Sequence, residues 1–523
     1  MEVKEHLLDT QTLHILQQIA QYFNSQRQQA YLVGGSLRNL LLCEPGNDWD
    51  IVTSGDAPSL ARRLADKLGG HYVYMHHKAH RVVVPLGEEK ESAKANKEFI
   101  IDIAQLKGNT LENDLRQRDF TINAIAASLD DVLRHFTTGH AMHLVDPLHG
   151  MADIEARRLR AVDSDVFRHD PLRMLRAVRL MARYQLSIDN WTEGLLLRDC
   201  SLLPQVAPER IHDELYALLE LNGATDHLHF LDAHGLLTVL IPEFIPARGM
   251  PQPSPHYWDV LEHSLQTVGK LEQLAGLLQQ APEEIQQSPL EISGECNFRE
   301  IQKLLQEAEQ QSIFQRSMLT APRMKLAALL HDIGKPATYI TDEEGLIHFY
   351  GHPQAGVPLA HQIMQRLNAS TQDRRLVQQV VAHHMRPGQL GMVEQVTPRA
   401  IRRYFVDLGP SGIAVALLSL ADHLATRGPL FGTHEGQSVS AMGGWQRHVA
   451  AVCLLLTRYI RNRESILPPR LVSAEELMRH FKLEPGPKVG LLLEHIAEAQ
   501  AGGIIHSKEE AFWLAEEKLS SLE

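Results

Sequence analysis

Cysteine is scarce. The 523-residue chain holds only Cys43, Cys200, Cys296 and Cys453, far apart and without a Cys-x-x-Cys pair. That excludes a disulfide scaffold and a cysteine-rich metal knuckle, and predicts reduced structural thiols in a cytoplasm. Long apolar runs are also missing. None approaches the ~20 residues of a membrane span, and the opening Met1-Glu-Val-Lys-Glu-His lacks the basic and apolar regions of a secretory signal. The reading is a cytoplasmic protein with no membrane partner. Net positive charge is absent too: 51 Lys and Arg stand against 64 Asp and Glu, a formal charge of −13. This argues against indiscriminate coating of nucleic acid, and DNA is not expected as a partner. A local basic groove for RNA remains open. No tandem repeat of fixed period appears.

What is present is 44% hydrophobic residues, ordinary for globular protein, over a length that suits roughly three or four domains. Apolar spacing predicts a helix within 1–30, strands at 30–33, 48–53, 71–75, 80–85 and 98–104, and a helix near 57–68. A solvated hairpin loop is expected at 86–97. The expected organisation is an α/β head over 1–140 and a helical segment over 141–245. Prolines between 242 and 255 read as a linker, followed by a histidine-rich helical domain over 256–430 and a helical module over 440–523. Residues 272–318 read as an exposed Gln/Glu-rich helical insertion. The fold class is α+β, with strands and helices in the head and an all-helical remainder.

The head carries the first chemical signal. Asp48-Trp-Asp50 sits in a strand-like run, so its two carboxylates face one side of a sheet, the arrangement that can hold divalent metals across a phosphoryl group. Upstream, Gly34-Gly35 lets the backbone approach a ligand at the start of an apolar helix, and Arg38 can add a charge-assisted contact to a triphosphate. Asp102, in Phe99-Ile-Ile-Asp-Ile-Ala104, is the candidate third carboxylate. In Arg116-Gln-Arg118-Asp-Phe-Thr-Ile-Asn123 the two arginines can reach a triphosphate, Asp119 can orient Arg118, and Asn123 can serve a sugar hydroxyl. Each piece alone also fits a solvated turn or a charged helix face; their ordered combination is what is specific.

These segments, together with Asp146-Pro-Leu-His-Gly150, Phe167-Arg-His-Asp-Pro-Leu-Arg173 and Pro208-Glu-Arg-Ile-His-Asp-Glu214, resemble the class II tRNA nucleotidyltransferase and bacterial poly(A) polymerase family over about residues 30–220. The resemblance implies a five-stranded polymerase-β-like head, its sheet mixed, and a helical neck. It also implies Mg²⁺ at Asp48 and Asp50, with tRNA, CTP and ATP as partners. In that family a helix bearing Glu-Asp-x-x-Arg reads the incoming base. Here Asp170 and Arg173 match, three residues apart, and can imitate a Watson–Crick partner for cytosine or adenine. Arg173, Arg176, Arg179 and Arg183 form a basic ridge, with Arg176 assigned to the nucleotide and Arg179 and Arg183 to RNA; a salt-bridged, merely solvated helix face is the bland alternative.

Three departures matter. His169 replaces the family's Glu, and Asn39 replaces an acidic residue after Arg38. The segment from Asp102 to Arg118 is only 17 residues inclusive, shorter than the flexible loop of typical CCA-adding members. C-C-only addition is therefore the close rival of full C-C-A addition, with poly(A) synthesis third.

Leu329-Leu-His331-Asp332-Ile-Gly-Lys335-Pro336 is the second signal. It resembles the HD superfamily of metal-dependent phosphohydrolases, which implies metal-assisted attack of water on a phosphoester. His263, His331, Asp332 and Asp422 are expected at one metal, and His352, His383 and His384 at a second bridged by Asp332; Lys335 would meet the phosphate. Mixed His and Asp ligands suit Mn²⁺, Fe²⁺, Ni²⁺, Zn²⁺ or Mg²⁺. In some CCA-adding enzymes such a domain acts on 2′,3′-cyclic phosphates and 2′-phosphates, so both sites could serve an RNA 3′ end. The rival from a different class is an HD phosphohydrolase whose head has decayed into an RNA-binding module.

Overall fold

The computed structural model describes residues 7–44, 46–76, 79–86, 98–108, 110–288, 290, 292, 296–428 and 439–521. It divides into two units, Met1–Val206 and Ala207–Glu523. The segment expected as one neck, 141–245, is thus shared between them, and the prolines at 242–255 lie within the second unit. The loop expected at 86–97 lies, from residue 87 on, outside the described residues.

The first unit is built on a seven-stranded sheet in the order β3-β4-β5-β2-β1-β6-β7. Its strands are β1 (Ala30–Val33), β2 (Asp48–Thr53), β3 (His71–His76), β4 (Ala79–Pro85), β5 (Glu98–Gln105), β6 (Ala126–Ser128) and β7 (Leu144–Val145). Seven strands replace the five implied by family resemblance. The extra pair, β6 and β7, is too short to show a period-two pattern, and β7 carries the sheet past residue 140. Only β2 and β5 are parallel; every other neighbour is antiparallel.

Alternation sets the faces. Trp49 and Ile51 of β2 and Phe99, Ile101 and Ile103 of β5 are buried, with the Trp49 and Phe99 rings stacked 5.6 Å apart. Their neighbours Asp48, Asp50 and Asp102 therefore point to the other side. Helix α1 (Thr10–Ser25) starts where Asp9 accepts from the Thr12 N–H, which trims the expected 1–30 helix. Helix α2 (Gly34–Leu41) follows β1 directly, and α3 (Ala57–Leu68) buries Leu60, Ala61 and Leu64 before the left-handed Gly69 ends it. Helix α4 (Arg173–Tyr184) buries Met174, Leu175, Ala177 and Val178 and turns its arginines outward.

In the second unit, α5 (Val260–Leu277), α6 (Phe298–Gln310), α7 (Pro322–Leu330), α8 (His352–Arg366), α9 (Thr371–His383), α10 (Ser411–Thr426) and α11 (Val439–Ile460) form a helical body. The 272–318 stretch is not simply exposed: α6 buries Phe298, Ile301, Leu304 and Leu305, and Phe298 stacks on the buried Trp445 of α11. Three last helices, α12 (Ala474–Phe481), α13 (Pro487–Ala501) and α14 (Lys508–Ser520), close their own small core around Leu477, Leu492 and Ile496. Glu498 of α13 ties this module to Arg399 and Arg403. Among the described residues no single helix is long and apolar enough to cross a membrane.

Candidate active sites of the two units

In the first unit the parallel register sets Asp50 of β2 directly beside Asp102 of β5, and the antiparallel register sets Arg81 of β4 beside Asp102 on its other flank. Arg81 grips Asp102 through two bonds of 2.8 Å. Asp50 accepts from the Ser36 N–H and hydroxyl at 3.3 and 3.0 Å. Burial pushes the Asp50 carboxyl up, Ser36 pulls it back, and Asp102 adds to the rise. A cation is the group that relieves two neighbouring carboxylates, so the donors fit a divalent metal, with Asp48 two residues along on the same strand face.

Gly34 is required here. Its φ is +64°, and a Cβ would lie 2.8 Å from Arg118 Nη1 and 3.4 Å from Asp50 Oδ2. Arg118 is fixed by Asp114, one helical turn earlier, at 2.9 and 3.1 Å. Asp119, expected to orient Arg118, serves others: it accepts from Arg176 at 3.2 Å and from Asn123 at 2.9 Å. Burial would raise Asp119, but Arg176, Asn123 and Arg173 outweigh it and hold it low.

Arg38 and Asn123 also differ from expectation. Arg38 is buried, donating to Asn123 Oδ1 at 2.6 Å, to Asn39 Oδ1 and to the Tyr184 hydroxyl, with its guanidinium 4.6 Å from the Tyr184 ring centroid. Its side chain and that of Asn123 are thus committed to a network joining α2 to α4. Asn39 has a role in it: its neutral oxygen accepts from Arg38 and Tyr184, replacing a carboxylate.

A cavity of about 320 Å³ gathers Asp50, Asp102, Asp114, Arg118, Asp119, Arg173 and Arg176. Asp170 and Arg173 do not share a helix. Pro171 disfavours helix at the residue before it, so Asp170 is extended (φ −155°, ψ 100°) and α4 begins at Arg173. His169 is exposed, 4.0 Å from Asp163. Arg179 is half-buried and Arg183 exposed beside Tyr184.

In the second unit, six side chains from five places in the chain converge. His263 Nε2 lies 3.0 Å from Asp422 and 3.4 Å from Asp332. His331 Nε2 lies 3.2 Å from Asp332, and His352 and His384 Nε2 lie 3.2 and 3.5 Å from the other Asp332 oxygen. The groups His263-His331-Asp332, His331-His384-Asp422 and Asp332-His352-His384 each bring three ligand atoms within 4.8 Å of one another. The buried Nε2 atoms of His263 and His331 make no well-aligned hydrogen bond. His331, His352 and His384 each direct Nδ1 at a backbone carbonyl three residues earlier, which presents Nε2 to the centre. These donors fit one or two divalent ions.

Of the two adjacent histidines expected at the second metal, His384 joins the cluster and His383 does not. Adjacent residues at a helix end point about 100° apart, and His383 faces Arg386 instead, 3.5 Å away. Burial would lower the His331 pKa, but Asp332 and Asp422 raise it to about 10. Lys335 contacts Asp332 at 2.5 Å and is held from behind by Gln252 at 2.6 Å.

Two results are expected from this geometry. Arg81→Ala frees Asp102 and weakens divalent-metal binding at the carboxylates about 10- to 100-fold, read as a shifted Mg²⁺ titration that Arg81→Lys partly restores. Gly334→Ala places a Cβ 2.1 Å from the His352 carbonyl and 2.5 Å from the Gly356 nitrogen, so α8 must move away from Asp332. The expected loss is about 1–3 kcal/mol of stability, with weakened metal retention measured by calorimetry.

Ser36, Arg81, Asp114 and Tyr184 were not foreseen as partners. Asp114 was readable from its i, i+4 spacing to Arg118. Arg81 had no local signal, because only strand register brings it to Asp102.

The family described as Poly A polymerase head domain matches residues 30–160, the probable RNA and SrmB-binding site of polymerase A matches 185–248, and the HD domain matches 303–427. His263 lies outside the last match yet joins its cluster. The apo structure of a CCA-adding enzyme shares the fold, with a TM-score of 0.58, 19% identity and coverage of 99% of this chain and 96% of that one. A CC-adding tRNA nucleotidyltransferase of Thermus thermophilus is 30% identical over 92% of each chain. An A-adding tRNA nucleotidyltransferase of Deinococcus radiodurans is 32% identical over 92% of this chain and 94% of its own. With a poly(A) polymerase head and an HD domain in one polypeptide, the chain belongs to the tRNA nucleotidyltransferase family.

Proposed function

We propose that this chain extends tRNA 3′ ends with cytidylate and adenylate drawn from CTP and ATP, without a template, and that its HD unit hydrolyses phosphoesters. The observation that carries the first reading is the register that sets Asp50 beside Asp102 on the wall of an arginine-lined cavity. Asp48 and Asp50 would hold Mg²⁺, which when bound would supply positive charge to the triphosphate and acidity to the attacking 3′-hydroxyl.

The chain's own groups do the rest. Arg118, locked by Asp114, offers its remaining donors to phosphate oxygens. Arg176 and Asp119 brace the start of α4, where Arg173 faces the cavity. Asp170 accepts from the exocyclic amine of cytosine or adenine, and Arg173 donates beside it. Uracil and guanine place a carbonyl where that amine belongs, so Asp170 meets an acceptor and rejects them. Arg179 and Arg183 meet RNA phosphates. Within the HD unit, His263, His331, Asp332, His352, His384 and Asp422 hold the metals, and Lys335 faces the substrate phosphate. Cytoplasmic placement accords with four cysteines spread along the sequence without a Cys-x-x-Cys pair.

A second reading is a partial reaction. The 17-residue span from Asp102 to Arg118 favours it, as do full-length relatives named for CC addition and for A addition. The experiment offers purified protein tRNA ending at the discriminator base or in C-C, with CTP, ATP or both. Completed C-C-A supports full addition, a stop at C-C or terminal A alone supports the partial reaction, and no incorporation overturns nucleotide addition.

A further inference from the structure

The HD cavity is larger and more aromatic than a phosphate requires. It encloses about 540 Å³ and is lined by Asp332, Lys335, His352 and His384, and also by His348, Phe349 and Tyr350. His348 ends a short hairpin, Ile340–Thr341 with Ile347–His348, and Phe349 and Tyr350 lead from it into α8 and His352. Tyr350 is 71% exposed, its ring stacked flat on His348 at 4.9 Å and 11°. His348 is anchored in turn by Asp342, 2.6 Å from its Nε2. Phe349 joins the platform to the metal ligands: its carbonyl accepts from His352 Nδ1 at 2.9 Å, and its ring lies 5.6 Å from Lys335 Nζ.

A held pair of rings presents a preformed π-face to solvent at the rim of this cavity. Tyr350 lines the same cavity as Asp332, Lys335, His352 and His384, and its Cα lies at most about 7 Å from that of His352. A bare phosphate or small phosphoester would use only the metal cluster and Lys335, leaving Tyr350, Met385 and Met392 of the cavity wall without a partner for their apolar surface.

We propose that the stacked Tyr350–His348 pair is a nucleobase platform, so that the HD site takes a nucleoside monophosphate with its base on Tyr350 and its phosphate between Lys335 and the His/Asp cluster. The inference rests on the phosphohydrolase reading of that cluster. The same chemistry is offered by the last nucleotide of an RNA and by a free mononucleotide.

The test uses the full chain with Mn²⁺ and three probes: adenosine 3′-monophosphate, an RNA oligonucleotide ending in a 3′-phosphate, and glycerol 2-phosphate, which has no base. Tyr350→Ala is expected to raise KM for the base-bearing probes about ten-fold, the loss of one base–aromatic stack. Tyr350→Phe stays within about two-fold, and the base-free ester is unaffected. An effect on the oligonucleotide alone assigns an RNA end, and an effect on both admits the free nucleotide. Unchanged KM for both, or an equal rise for all three, overturns the platform. If none is hydrolysed, the phosphohydrolase reading fails, and Kd values from equilibrium dialysis decide the platform separately. A ten-fold weaker Kd for the base-bearing probes in Tyr350→Ala supports it; equal values, or no binding to the unsubstituted chain, overturn it.

Discussion

Replacing Asp48 and Asp50 together by Ala is expected to lower nucleotide addition by at least about 10⁴-fold, equivalent to about 5.5 kcal/mol of transition-state stabilisation. Phosphoester hydrolysis by the HD unit is expected to stay within about two-fold. The size follows from what those carboxylates face. Asp50 is buried, raised by burial and by Asp102 beside it, and restrained chiefly by Ser36. Such a carboxylate is poised for a cation rather than paired within the fold, so removing it takes away the charge that assembles triphosphate and hydroxyl. The stability effect should be small, a Tm change of no more than about 2 °C, because the substitution also relieves repulsion between Asp50 and Asp102. Rapid-quench assays with labelled CTP and ATP read the first effect and thermal melts the second. A comparable loss of both activities would break the separation of the two sites.

Asp332→Asn is expected to have the opposite profile: phosphoester hydrolysis and bound metal fall to background while nucleotide addition stays within about two-fold. Asp332 touches His263, His331, His352 and His384 within 3.5 Å and also neutralises Lys335. It is the one carboxylate common to two of the three candidate ligand groups. Its removal strands the buried Lys335 charge, so this variant also loses about 3–5 kcal/mol of stability in the second unit. His331→Ala, which leaves Asp332 and Lys335 paired, separates the effects. It should lose metal, read by elemental analysis, with a smaller drop in Tm than Asp332→Asn. Metal content unchanged in both variants would remove the cluster as a metal centre.

How much was legible differs between the sites. In the head, β2 and the helix over 57–68 lie where alternation and amphipathic spacing place them, since both patterns are local consequences of one buried face. Asp48 and Asp50 were readable because i, i+2 spacing fixes a common strand face, and Asp102 because its own strand-like run was expected beside theirs. The partners of that trio were not. Arg81 reaches Asp102 through pairing of β4 with β5, and Ser36 reaches Asp50 because α2 packs over β2. Arg38 and Asn123 carried the right motif and an expectation of ligand contact, but burial joins them to each other. A donor and an acceptor at the correct sequence positions bond whichever partner the fold brings nearest, and spacing along the chain does not say which.

In the helical unit, His263, His331, Asp332, His352 and Asp422 were identified as a set from type and order, and they converge. The choice between His383 and His384 depended on the rotation of α9 about its axis, which packing of Val377, Val380 and Val381 decides. Periodicity and residue type, properties of short segments, carry the positions of the main strands, the helical remainder and the chemical character of both sites; the parallel pairing of β2 with β5 that makes the sheet mixed is a matter of packing. Tertiary structure alone decided which carboxylate each arginine serves, which histidine enters the cluster and where an aromatic pair meets it. Those contacts join residues as far apart as 159 positions, from His263 to Asp422, and arise only when distant segments pack.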